Sequence, residues 1–185
     1  MNVESRGALA RRTLLVVVVA AAMFALPRLG LAAGAEGPMS ERLSIEGAVR
    51  TPMTWTAPQL RAWPAEQSTR VVLPRKVDGQ DATSEVRGVR LTTLLERAAL
   101  AEADHNTWKH TVVVATATDG YQVVFSWPEL FDTEVGAGVL VIVERDGQPL
   151  DDREGHIALV SARDTRAGPR NVHWLTRIDV RVLHD

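Results

Sequence analysis

The chain has 185 residues, 21 lysines and arginines against 23 acidic residues, and no cysteine. Without cysteine it forms no disulfide, thiolate metal site or thiol nucleophile of its own, so apolar burial must hold the fold together. The near-neutral balance leaves no basic stripe, which excludes a nucleic-acid surface.

Residues 1–35 read as an export signal. Arg6, Arg11 and Arg12 make a basic start, residues 14–26 are uncharged and apolar, and the run ends at Pro27 before the small residues Ala32-Ala33-Gly34-Ala35. The run is short for a membrane span and ends in an A-x-A-like site. It therefore predicts cleavage after Ala33 or Ala35 and a periplasmic or secreted location. A retained anchor is the competing reading. The paired arginines also admit the twin-arginine route, which Thr13-Leu14-Leu15 match only in part. Four of the basic residues and one acidic residue lie in this segment, so the remaining domain, residues 36–185, carries a net charge of −5. Its size suits one domain.

After a polar lead-in at residues 36–41, residues 43–49 alternate apolar and polar as a half-buried strand does. Thr56 and Gln59 form a capping box around Pro58, predicting a short helix that continues through Leu60 and Trp63 and ends at Pro64. Residues 70–73 read as a second strand and residues 74–85 as a polar loop. Leu91, Leu94, Leu95 and Ala98 fall on one helical face. Residues 111–118 and 121–125 are predicted strands joined by an Asp119-Gly120 turn, a hairpin. Ser126 and Glu129 form a second capping box, with a helix starting at Trp127. Residues 139–143 are apolar without alternation, which suits a strand buried on both faces. Asp146-Gly147 turns the chain, residues 157–160 form the next strand, residues 161–171 an Arg-rich loop, and Ile178, Val180 and Val182 mark a last amphipathic strand. Many short strands with three short helices predict an α+β, β-rich mixed-sheet domain.

Several phrases carry a resemblance when taken in order. They are Gly47-Ala48-Val49, Gly88-Val89-Arg90-Leu91, Asp119-Gly120-Tyr121, Ser126-Trp127-Pro128-Glu129-Leu130, Asp146-Gly147-Gln148-Pro149-Leu150 and Arg170-Asn171-Val172-His173-Trp174-Leu175. Together they resemble the molybdopterin-binding domain of the sulfite oxidase family over roughly residues 43–182. The resemblance implies that family's fold, an oxidoreductase activity dependent on molybdopterin if the chain is active, and a metal-binding cysteine in the loop after the strand at residues 71–73. The chain departs from the pattern there: residues 74–85 hold no cysteine. A soft metal centre on a pterin dithiolene normally takes a protein thiolate, so the complete centre is not expected. A family arginine is also missing where Gly155-His156-Ile157-Ala158 stands, and His173 replaces a lysine.

The resemblance makes Tyr121, Arg170, His173 and His156 the candidate ligand-binding residues, with no catalytic or metal role assigned. Tyr121 can donate a hydrogen bond to an oxyanion or simply pack. Arg170 can pair bidentately with an anion, alongside Arg163 and Arg166, or belong to a solvated loop. His173 is an imidazole that can take up a proton, or an ordinary strand-start histidine. His156 lies beside the expected site but is a poor metal site alone. Asp119, Gly120, Asp151 and Asp152 read as turn residues, and His105 and His110 as loop residues. Five tryptophans suit core anchors; several in one cleft would instead indicate a flat aromatic ligand. Two functions follow. One is an exported, metal-free relative holding a small anionic or pterin-like ligand. The other is a non-catalytic binding or sensory module with a periplasmic or membrane protein partner.

Overall fold

A computed structural model describes residues 39–102 and 104–183; the predicted export signal lies outside the described residues. In chain order the elements are β1 (Arg42–Gly47), β2 (Met53–Thr56), α1 (Ala57–Arg61), a 3-10 turn (Ala65–Gln67), β3 (Ser68–Val77), β4 (Gln80–Arg90), α2 (Leu91–Ala98), α3 (His105–Lys109), β5 (Thr111–Ala117), β6 (Gln122–Ser126), α4 (Trp127–Asp132), α5 (Glu134–Ala137), β7 (Val139–Arg145), β8 (Gln148–Pro149), β9 (Ala158–Ser161) and β10 (Leu175–Val182). This is the β-rich α+β domain that the sequence predicts.

Two five-stranded sheets form. One runs β2-β1-β10-β5-β6, with β1 parallel to β10 and its other pairs antiparallel. The other runs β3-β4-β7-β8, with β9 pairing the first half of β7 on the same edge as β8, away from β4. The main core takes Leu43 and Ile45 from β1, Val113 and Ala115 from β5, and Ile178 and Val180 from β10, and packs them with Val139, Val141 and Val143 of β7. Leu140 and Ile142 of β7 point the other way, into a second cluster with Val86, Leu150, Ala158 and Val160. Apolar surface on both sides explains why β7 lacks alternation.

The Thr56 capping box forms in full: Gln59 N donates to Thr56 Oγ1 at 3.3 Å, and Thr56 N donates to Gln59 Oε1 at 2.8 Å. Leu91, Leu94, Leu95 and Ala98 of α2 are all buried. The second box forms only in half. Glu129 N donates to Ser126 Oγ at 3.1 Å, while the Glu129 carboxylate is taken by Arg170.

One correction concerns residues 74–85. They are not a loop but the distal end of a hairpin in which β3 and β4 pair continuously from Ser68↔Val89 to Val77↔Gln80. Asp78 and Gly79 both take positive φ, 50° and 79°, the requirement of a two-residue type I′ turn. The arm is largely exposed, so its pairing leaves no burial pattern to read. β2, β8, α3 and α5 also go beyond the predicted elements.

Candidate functional site

The closing phrase is held by a strained corner. Trp174 has φ of 50°, costly for a bulky side chain and tolerated only where the surroundings fix it. Four hydrogen bonds do so: Trp174 N to Glu154 O at 2.8 Å, Trp174 Nε1 to Asp152 O at 2.9 Å, Thr118 N to Trp174 O at 3.0 Å and Leu175 N to Ile157 O at 2.9 Å. Gly155 belongs to the same corner. It has φ of 72°, and a Cβ there would lie 2.6 Å from Trp174 Cδ1. The corner ties residues 152–157 to residues 173–175 and leaves His173 exposed beside them.

His173 lines a cleft of about 430 Å³ with Leu73, Pro74, Arg75, Arg145, Asp151, Arg153, Glu154 and Asn171. Four segments of the chain meet there: the outer half of β3, the end of β7, the loop between β8 and β9, and the closing phrase. The cations in this cleft differ in how they are engaged. Arg145 Nε donates to Glu154 Oε1 and Oε2 at 3.0 and 2.9 Å, and its Nη1 to Ser84 Oγ at 2.5 Å, so its fork is committed to structure. Among the described residues Arg75 has only a long pairing, 3.7 Å to Asp146. Arg153 is exposed, and its side chain makes no ion pair among the described residues. Asn171 Oδ1 accepts from Ser161 N at 3.2 Å, which leaves its NH₂ to donate. Asp151 is the turn residue expected, accepting from Arg153 N and Glu154 N at 3.1 Å each.

The other candidates stand elsewhere. Arg170 is clamped: Nε donates to Asp164 Oδ2 at 2.8 Å, Nη2 to Asp164 Oδ1, and Nη1 to Glu129 Oε1 at 2.7 Å. Its guanidinium lies 4.6 Å from the centre of the Phe125 ring. Hydrogen bonding from Arg170 holds the Asp164 carboxyl below its ordinary value, against burial; the same pairing raises Arg170. Two carboxylates thus use the arginine's donors. Tyr121 Oη donates to Pro169 O at 2.7 Å, fastening the β5–β6 turn to the loop beside Arg170. His156 lines a separate cleft of about 520 Å³ with Glu41, Arg42, Thr56, Pro58 and Arg61 among its walls. The structure therefore brings Tyr121 and Arg170 to one loop, His173 to the cationic cleft and His156 to another. The sequence does not single out Arg75 and Arg153. The signals for them are slight: Arg75 lies in the segment where the resemblance puts a cysteine, and Arg153 follows Asp151-Asp152, which read as a turn.

The cysteine-ligated centre does not fit these residues. Pro74 and Arg75 stand where β3 reaches the cleft, the chain contains no thiol to replace them, and a soft dithiolene-bound metal calls for one. Among the described residues no group of three or more His, Asp or Glu side chains is arranged to hold a metal ion.

Comparison with solved structures finds the sulfane dehydrogenase SoxCD from Paracoccus pantotrophus, with a TM-score of 0.57 and 19% identity over 75% of this chain and 37% of that one. That likeness is one of fold, and this chain spans little more than a third of its length. No curated protein matches. The model of the oxidoreductase molybdopterin binding domain matches residues 35–183, nearly all of what lies beyond the predicted signal, and the chain belongs to that family.

Proposed function

We propose that this chain is an exported family member that holds a small organic anion, pterin-like or phosphate-bearing, in the cleft beneath His173, without a thiolate-ligated molybdenum centre. The observation that carries the reading is the meeting of Arg75, Arg153, Asn171 and His173 around one cleft of about 430 Å³, a volume suited to a small molecule. Arg153 supplies the free planar fork, Arg75 a second cation that can leave its long pairing with Asp146, and Asn171 an amide donor. Arg145 shapes the floor through Glu154. Arg170 and Tyr121 act at a distance, by holding the loop that ends in Asn171.

The test is calorimetric titration with pyrophosphate and with 6-carboxypterin. Arg153→Ala should weaken whichever probe binds by about tenfold or more, the worth of one charge-assisted hydrogen bond, and Arg75→Ala should add to it. No binding of either probe at millimolar concentration, or identical binding by the double variant, contradicts the reading.

A second reading, a non-catalytic periplasmic or membrane-associated module working through a protein partner, draws support from β3. This ten-residue edge strand exposes Val72 by 60% and Val77 by 42%. Edges of this kind accept added strands, and Pro74 blunts only a portion of it.

A further inference from the structure

An aromatic-walled cavity lies apart from both clefts described above. It measures about 400 Å³ and is lined by Leu100, Trp108, Trp127, Phe131 and Asp132. Its walls come from capped, short-range structure. Ser126 Oγ caps α4, which places Trp127 and Phe131 one helical turn apart on one face. Their rings stack with centroids 4.4 Å apart and planes at 20°. Trp127 is only 9% exposed and Leu100 only 5%, so this floor is fixed, whereas Trp108 of α3 is 42% exposed at the rim. Asp132 is the last residue of α4, where a negative charge opposes the helix dipole. It is exposed and makes no ion pair among the described residues, although Lys109 and His110 stand at the end of α3.

Three aromatic rings beside a carboxylate with no ion pair among the described residues define the ligand chemistry. Ring faces attract flat apolar groups and cations alike, and the carboxylate selects positive charge over negative. We propose that this cavity is a second binding site, independent of the anion cleft, for a small flat aromatic molecule bearing a positively charged nitrogen. The ring would stack against Trp108 and the Trp127–Phe131 pair, with the cation toward Asp132.

The experiment titrates the ¹⁵N-labelled protein with tryptamine, indole and indole-3-acetate, three probes of one ring system with positive, no and negative charge. The five tryptophan indole N–H signals are followed. The expected result is that the Trp108 and Trp127 signals move, that tryptamine binds about fivefold more tightly than indole, and that indole-3-acetate binds most weakly. Asp132→Asn should bring tryptamine down to the level of indole. Trp108→Ala, at a rim position, should weaken tryptamine by about tenfold while the remaining tryptophan signals keep their positions in the free protein. The proposal is overturned if tryptamine binds no better than indole-3-acetate, if Asp132→Asn leaves the order of affinities unchanged, or if the shifts fall on Trp55 and Trp63 instead.

Discussion

Arg170 shows why the type of a residue does not settle its use. Arginine in a loop near an expected anion site invites a ligand role, yet its donors here are committed to Asp164 and Glu129, 6 and 41 residues away. Its side chain is 25% exposed. Arg170→Ala should therefore cost stability, about 1 to 3 kcal/mol, below the range for fully buried pairs because water reaches this one. Urea unfolding measures it; an unchanged midpoint together with lost probe binding would return Arg170 to the ligand site. The same pairing sets a pH dependence. Arg170 holds Asp164 below its ordinary value, and Arg87 does the same for Glu144 through hydrogen bonds of 2.6 and 2.8 Å. Carboxylates with lowered folded-state values bind fewer protons folded than unfolded. Their contribution is present above the ordinary carboxylate range, about pH 4, and is lost as pH falls through and below it. Unfolding midpoints should drop between neutral pH and pH 3, and Asp164→Asn should start lower at neutral pH and fall less steeply. Parallel curves for the two proteins would contradict this assignment.

Elements that bury a face are legible in the sequence; elements that do not are hidden. The four apolar positions of α2 and the unbroken apolar run of β7 both announce themselves through burial. The β3–β4 arm does not, because Arg75, Lys76, Gln80 and Asp81 face water and its order comes from backbone pairing. Its one local signal is Asp78-Gly79, a dipeptide specific for tight hairpins. Likewise, the sequence shows the Ser126–Glu129 spacing but not the distant arginine that claims the Glu129 side chain. Two glycines separate turn chemistry from packing. Gly79 has positive φ and open space around it, so Gly79→Ala should cost about 1 to 2 kcal/mol of backbone strain. Gly88 crosses β7 so closely that a Cβ would stand 2.1 Å from Val141 O. Gly88→Ala must push a pair of core strands apart and should cost more than about 3 kcal/mol. Thermal unfolding of the two variants checks the order; equal losses would mean that β4 and β7 can separate cheaply.

Across the whole molecule, the ordered phrases identify the fold because they mark turns and corners that the two sheets require. Gly155 and Trp174 meet in one such corner, and Asp146-Gly147 turns β7 into β8. The site is less legible. Its walls come from β3, the end of β7, the β8–β9 loop and the closing phrase, most of them far apart in sequence, and only His173 among its lining residues of basic type stands in a recognisable phrase. Which arginines are committed to carboxylates, as Arg145 and Arg170 are, and which stay available, as Arg153 is, depends on those long-range pairings. The proposed function takes the absence of cysteine from the chain to mean that no thiolate-ligated metal centre forms. Protein purified from its native source and analysed for molybdenum and tungsten tests this most directly. Far less than one atom of either per chain is expected; a stoichiometric, tightly held atom would contradict the reading and require oxygen or nitrogen donors to have taken the place of sulfur.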